Sequence, residues 1–107
     1  MQKLARTTEE NPSKCIVLKN MVEPESIDNE LQIEIKDECS KFGKVDQLII
    51  YQQAVNDEIE VKVFVLFNSV DGATKAQSKL HNRFFDGKRV HCEFYDEKSF
   101  KERNFEE

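Results

Sequence analysis

No apolar run in this chain approaches the roughly 18 residues that a membrane-spanning helix needs. None follows Met1-Gln2-Lys3-Leu4-Ala5-Arg6 to make a secretion signal either. The composition therefore reads as an intracellular protein with no membrane contact. Cysteine is sparse: Cys15, Cys39 and Cys92 are odd in number, far apart and without metal-ligand spacing. They are expected to be buried reduced thiols, and no metal is named. An excess of positive charge is lacking as well, since 16 Lys and Arg face 21 Asp and Glu, for a net charge of −5 and a pI near 5.1. Non-specific nucleic-acid affinity comes from Lys and Arg releasing counterions from phosphates, so this surface as a whole repels phosphate and suits a partner rich in Lys or Arg. His81 and His91 are isolated, with no Ser, Cys or carboxylate at catalytic spacing. No enzyme is expected, no catalytic residue is named and no cofactor is implied. Internal repeats and low-complexity segments are absent too.

What remains is the size of one domain: 107 residues, 38% hydrophobic and 35% charged, enough for a single two-layer core. Residues 1–14, including Thr7-Thr8-Glu9-Glu10-Asn11-Pro12-Ser13, are polar and without apolar periodicity, which reads as a linker or flexible N-terminus. Cys15 to Met21 is an apolar run between Pro12 and Pro24, predicting a buried strand. Ser26 or Asp28 can cap a helix with Ile27, Leu31, Ile35, Cys39 and Phe42 on one stripe, stopped by Gly43. Val45 to Gln52 and Ile59 to Phe67 predict two strands around Asn56-Asp57-Glu58, with Ile59, Val61, Val63, Val65 and Phe67 turned inward. A second helix over Ser69 to His81 puts Ala73, Ala76, Gln77 and Leu80 on one face, and Asn82 can end it in a left-handed conformation. Lys88 to Tyr95 alternates Val90, Cys92 and Phe94 with polar residues, predicting a last strand. The order βαββαβ predicts the α+β class, a ferredoxin-like plait with a four-stranded antiparallel sheet and two helices on one face. The folded domain spans 15–96, and 97–107 is an extension in which Phe100 and Phe105 sit among charges, as a short terminal helix would have them.

Glu60-Val61-Lys62-Val63-Phe64-Val65-Leu66-Phe67 and Ile16-Val17-Leu18-Lys19-Asn20-Met21 resemble the two signatures of an RNA recognition motif. The likeness is of scaffold rather than of platform. The alternate positions that present rings to RNA hold Glu60, Lys62 and Phe64, and Val17 stands where the first strand usually has an aromatic residue. Stacking contributes about 1 to 3 kcal/mol per base, so losing two rings weakens binding severely. Val17, Lys62 and Phe64 thus mark a vestigial RNA face, with Phe64 the ring left pointing outward. Glu60 and Glu93 add repulsion, while Lys19, Lys62, Arg89 and His91 keep open an alternative reading of weak pyrimidine-rich RNA binding. Phe100 and Phe105 docking on this face would close it further.

Taken with these degraded signatures, Arg83-Phe84-Phe85 resembles the Arg-x-Phe loop of the U2 auxiliary factor homology motif, a variant of the RNA recognition motif that binds proteins. Asp37 to Gly43, Val61 to Phe67 and Arg83 to Gly87 lie where that family has its characteristic segments. Gln2-Lys3-Leu4, Ile49-Ile50-Tyr51-Gln52 and Phe94-Tyr95-Asp96 bring the chain nearest to one splicing-factor branch of it. The resemblance implies a peptide-binding module for pre-mRNA splicing in the nucleus, at the step of 3′ splice-site recognition. Its ligands would be basic linear segments containing tryptophan, as in the branch-point-binding protein, the large subunit of the splicing factor three-b complex and the large subunit of U2 auxiliary factor. Phe85 would meet the indole, the Arg83 guanidinium would cover its other face, and Phe84 would lean toward peptide backbone or solvent. On the first helix Asp28 and Glu34 fall at the family's acidic contacts, with Glu30, Asp37 and Glu38 beside them. RNA contacts would come mainly from other domains of a longer parent, and weak self-association, loop against acidic helix, is a third reading. Two residues depart from the family pattern: Asn82, where Gly is usual, and Ile33 beside the acidic flank.

Overall fold

The computed structural model describes residues 7–8, 11–85 and 87–105. Strand β1 (Thr7–Thr8) precedes β2 (Cys15–Lys19), a 3-10 turn (Pro24–Ser26), helix α1 (Asn29–Cys39) and strands β3 (Val45–Val55) and β4 (Glu58–Phe67). Helix α2 (Val70–Leu80), the dipeptide strands β5 (Phe84–Phe85) and β6 (Lys88–Arg89), β7 (His91–Tyr95) and helix α3 (Glu97–Lys101) follow. Each helix starts where a short side chain satisfies an orphan N–H. Asp28 Oδ1 accepts from Leu31 N–H at 2.8 Å, Ser69 Oγ from Gly72 N–H at 3.2 Å and Asp96 Oδ2 from Ser99 N–H at 2.9 Å.

The expected α+β plait is what forms. The sheet runs β1-β7-β2-β4-β3, with β2 central and Val17 facing both Phe64 and Glu93. Period-2 alternation splits the strand residues between two faces. Ile16, Leu18, Val63, Val65, Phe67, Cys92 and Phe94 meet Leu31, Ile35, Cys39, Ala73, Ala76 and Leu80 from the helices. On the opposite face, Cys15, Val17, Phe64, Leu66 and Tyr95 are covered by Phe100 and Phe105. The candidate terminal helix is α3, and it docks on the sheet. All three cysteines are free and buried; burial pushes the Cys39 thiol up to about 12 and raises Cys15 further still.

Several elements differ from expectation, each for a tertiary reason. Thr7 and Thr8 pair with Tyr95 and Phe94 on the edge of the sheet, so the polar N-terminal segment contains a strand where a linker was expected. Its other residues among 1–6 and 9–10 lie outside the described ones. The hairpin closes on Asn56 and Asp57, whose φ values of 50° and 66° make a two-residue turn, extending both strands to Val55 and Glu58. Ile59 is therefore not inward but 48% exposed, beyond the reach of the helices. The single last strand breaks at Val90, because Val90 N–H donates to Arg83 O and Val90 O accepts from Asn82 N–H, both at 2.8 Å. Gly43 does not end α1, which stops at Cys39 with Ser40 as its C-cap. Its role is contact: a Cβ on Gly43 would stand 2.9 Å from Gly72 Cα.

Two stability outcomes follow, both read by urea unfolding. Gly43→Ala forces the α1–β3 loop off α2 and is expected to cost about 1 to 3 kcal/mol, as overpacking does. Phe100→Ala empties the centre of the aromatic layer and is expected to cost about 3 to 5 kcal/mol; a cost under 1 kcal/mol would mean that α3 is not bound to the sheet.

Candidate functional site

The loop after α2 is shaped by backbone hydrogen bonds. Asn82 takes φ of 68°, a left-handed geometry that Asn tolerates better than most residues. Arg83 N–H donates to Leu80 O at 3.1 Å. β5 and β6 form a small hairpin, Phe84 opposite Arg89 and Phe85 opposite Lys88, with Gly87 at φ 80° in its turn. Successive strand residues face opposite ways. Phe85 is thus half-buried against the main core, while Phe84 is 61% exposed, its ring 5.3 Å from the Arg89 guanidinium carbon.

Arg83 is tied to α1. Its Nη1 lies 3.2 Å from Glu38 Oε2, and Lys41 Nζ lies 3.1 Å from Glu38 Oε1. The hydrogen bond from Lys41 is the largest influence on the Glu38 carboxyl; burial opposes it, and the charges of Lys41 and Arg83 with the Arg83 hydrogen bond leave the group below its usual range. Behind this pair is a hollow of about 220 Å³ with Met21, Leu80, Phe85 and Val90 as its apolar walls and Glu38, Arg83 and Phe84 at its rim. A second hollow of about 360 Å³ adjoins it, with Phe85 common to both and Val22, Leu31, Ser26, Asp28, Glu30 and Glu34 around it.

The structure therefore gathers most of the residues that the sequence singled out. Arg83, Phe84, Phe85 and Glu38 surround the first hollow; Asp28, Glu30 and Glu34 line the second. Asp37 is exposed on α1 and lines neither. One oxygen of Asp28 is engaged in capping α1. Met21, Leu80 and Val90 were not foreseen as walls. Leu80 and Val90 had a legible signal, being the apolar positions that flank the Arg-x-Phe loop in sequence. Ile33 is 60% exposed.

The vestigial face is arranged differently from expectation. Phe64 does not point at solvent: it is 0% exposed, with ring centroids 4.8 Å from Tyr95, 4.8 Å from Phe105 and 6.2 Å from Phe100. Val17 and Lys62 are also buried. The outward-facing ring has become the core of a second apolar layer, because α3 and Phe105 offer it apolar partners that water cannot. Near this face, Lys19 Nζ lies 3.3 Å and His91 Nε2 2.9 Å from Glu93 Oε1. Among the described residues no cluster of three or more His, Cys, Asp or Glu is placed to hold a metal ion.

The family model for the RNA recognition motif matches residues 17–91. This chain belongs to the RNA recognition motif family. Among its relatives, the poly(U)-binding splicing factor PUF60 of Homo sapiens is 43% identical over 104 residues, covering 94% of this chain and 18% of that protein. The poly(U)-binding splicing factor hfp of Drosophila melanogaster is 44% identical, over 94% of this chain and 16% of its own length. Splicing factor 45 of Homo sapiens is 36% identical, over 84% and 23%. The chain thus spans about a fifth of the length of these proteins, and the similarity is consistent with a U2 auxiliary factor homology motif of the PUF60 type. Of the segments nearest that branch, Gln2-Lys3-Leu4 lies outside the described residues. Among solved structures, the RNA15 RNA recognition motif superposes with a TM-score of 0.65 at 19% identity, covering 85% of this chain and 99% of that one. The third such domain of Mip6 gives 0.60 at 25% identity, over 74% and 89%.

The Glu38 contacts have a pH signature. A carboxyl whose folded pKa is lowered stabilises the fold fully above its unfolded value and loses that contribution as pH falls through the folded one. Glu38→Gln is expected to cost no more than about 1 kcal/mol at neutral pH, as for exposed pairs. Unfolding curves of the two proteins should converge as the pH is lowered through the acidic range.

Proposed function

We propose that this RNA recognition motif is a protein-binding module of pre-mRNA splicing, taking basic linear peptides that place a tryptophan in the hollow beside Phe85. The observation that carries this reading is the apolar hollow of Met21, Leu80, Phe85 and Val90 with Arg83 held over its rim by Glu38. An indole entering it would find the Phe85 ring on one side, and a guanidinium poised for cation–π contact on the other. Next to it, Asp28, Glu30 and Glu34 present carboxylates to the Lys or Arg residues of the same peptide.

Magnitudes assign the roles. Burying an indole removes roughly 150 to 250 Å² from water, about 4 to 6 kcal/mol gross at about 25 cal/mol per Å². Each exposed ion pair adds only about 0 to 1 kcal/mol, and ordering the peptide costs several kcal/mol. Affinity in the micromolar range results, with the tryptophan as anchor and the charges setting register and on-rate. Glu38 is better placed to hold Arg83 than to meet the peptide. Partners of this chemistry are the tryptophan-containing basic segments of the branch-point-binding protein, of the large subunit of the splicing factor three-b complex and of the large subunit of U2 auxiliary factor. The setting is nuclear, at 3′ splice-site recognition, with RNA held mainly by other domains of a longer parent. No chemistry on a substrate is involved.

Calorimetry with a peptide of four Lys or Arg residues followed by one tryptophan tests this. Wild type is expected to bind at micromolar concentration, with Phe85→Ala weakening binding at least tenfold and replacement of the peptide's tryptophan by alanine abolishing it. Equal binding by Phe85→Ala, or tighter binding of oligouridine than of the peptide, would sink the reading.

A further inference from the structure

The β3–β4 hairpin outruns the strand beside it. β2 ends with Lys19 opposite Lys62, whereas β4 begins at Glu58. Glu58 to Val61 are therefore flanked by β3 on one side and by no described strand on the other. Backbone parity fixes which groups are left. In a two-residue hairpin the closing pair, here Val55 and Glu58, is hydrogen-bonded, so the next residue turns its N–H and C=O away from the partner strand. Odd-numbered residues of β4 thus face the β2 side, in agreement with the Phe67 N–H, which donates to Lys14 O at 2.8 Å. Ile59, 48% exposed, presents its backbone groups along this edge as a template for another strand, whereas Val61 is buried and the Pro24–Ser26 turn packs near β4.

That edge opens onto a hollow of about 750 Å³, closed on its far side by the segment from Asn20 to Glu25. Its charge is lopsided. Glu23, Glu25, Glu58 and Glu60 line it against Lys19 and Lys88, and both lysines are engaged, Lys19 with Glu93 at 3.3 Å and Lys88 with Glu23 at 2.5 Å. Glu25, Glu58 and Glu60 have no ion pair among the described residues. Val55 and Ile59, 38% and 48% exposed, supply apolar surface between the carboxylates. Val22 is shared between this hollow and the one that carries Asp28, Glu30 and Glu34, and Phe85 joins that one in turn to the hollow proposed for tryptophan. The three are thus neighbours along one side of the domain, each sharing a residue with the next.

We infer that the basic ligand continues past α1 and adds an extended, Lys- or Arg-rich strand to the projecting end of β4 around Ile59. Main-chain hydrogen bonds give the added segment its grip, and alternate side chains meet the carboxylates and Ile59. This rests on the peptide-binding reading above. An acidic partner or a nucleic acid is repelled here, and a second copy of this chain, itself at −5, is a poor match for the same charge.

Calorimetry on the whole chain tests it with the tryptophan peptide and two longer forms, carrying six alternating Lys and Val residues added before or after it. One longer form is expected to bind about tenfold tighter than the short one. Ile59→Pro removes an outward N–H without touching the β3 ladder, and should erase that gain while leaving the short peptide's affinity unchanged. N-methylation of alternate residues in the added segment should do the same on unmodified protein, and replacing its Lys by Ser should reduce the gain. If the short peptide binds and neither extension improves on it, or if the gain survives both Ile59→Pro and N-methylation, the inference falls and the tryptophan site stands. If the short peptide itself fails to bind, both fall.

Discussion

Everything about how this domain can bind depends on the aromatic layer built around Phe64. Tyr95 meets its ring edge-on at 4.8 Å with an interplanar angle of 70°, Phe105 lies tilted at 4.8 Å and Tyr51 leans on Phe105 at 5.3 Å. The Tyr95 hydroxyl donates to Asn104 O, tying the sheet to the end of the chain. Each such pair adds about 0.5 to 1.5 kcal/mol beyond its burial. A plait of this kind has two large faces. One is covered by α1 and α2, and the centre of the other by the C-terminal segment.

In the proposed reading, the binding surface lies where elements meet rather than on the sheet. The loop after α2 leaves a gap above Leu80 and Val90, the Glu38–Arg83 pair fixes the gap's rim, and the acidic flank of α1 continues from it. The pair's energy is small because both groups reach water. Its geometric effect is larger: a guanidinium already held in place loses less freedom when a ring slides beneath it. Charge acts in the same sense at long range, since a surface of net −5 draws basic peptides and turns phosphate away.

The fold was legible because its determinants are local. Asp28 and Ser69 cap the helices they precede, the stripe Leu31, Ile35 and Cys39 is the buried one, and Asn82 adopts the left-handed geometry its type favours. Arg83 and Phe85 could be singled out only because the loop, taken together with the degraded signatures, resembles the Arg-x-Phe loop of the U2 auxiliary factor homology motif. What stayed hidden depends on distant partners. Nothing near Gly43 says that Gly72 will approach it, and nothing in Lys88 to Tyr95 says that Val90 will bond to Arg83 instead of to a strand. Phe64 has the alternation of an exposed ring, and only residues some forty positions later decide that it is buried. The projecting end of the hairpin comes from a mismatch in the lengths of β2 and β4, which no single segment encodes.

The central claim is that the helical side, not the sheet, is the binding surface. Amide chemical-shift mapping of the labelled domain during titration with a tryptophan-containing basic peptide tests it most directly, with oligouridine in parallel. The account predicts peptide-induced shifts at Leu80 to Val90 and along Asp28 to Glu38, with Val17, Lys62 and Phe64 unmoved by either ligand. Saturable shifts at Val17, Lys62 and Phe64 on adding oligouridine, together with a silent Arg83 to Phe85 loop on adding peptide, would contradict it.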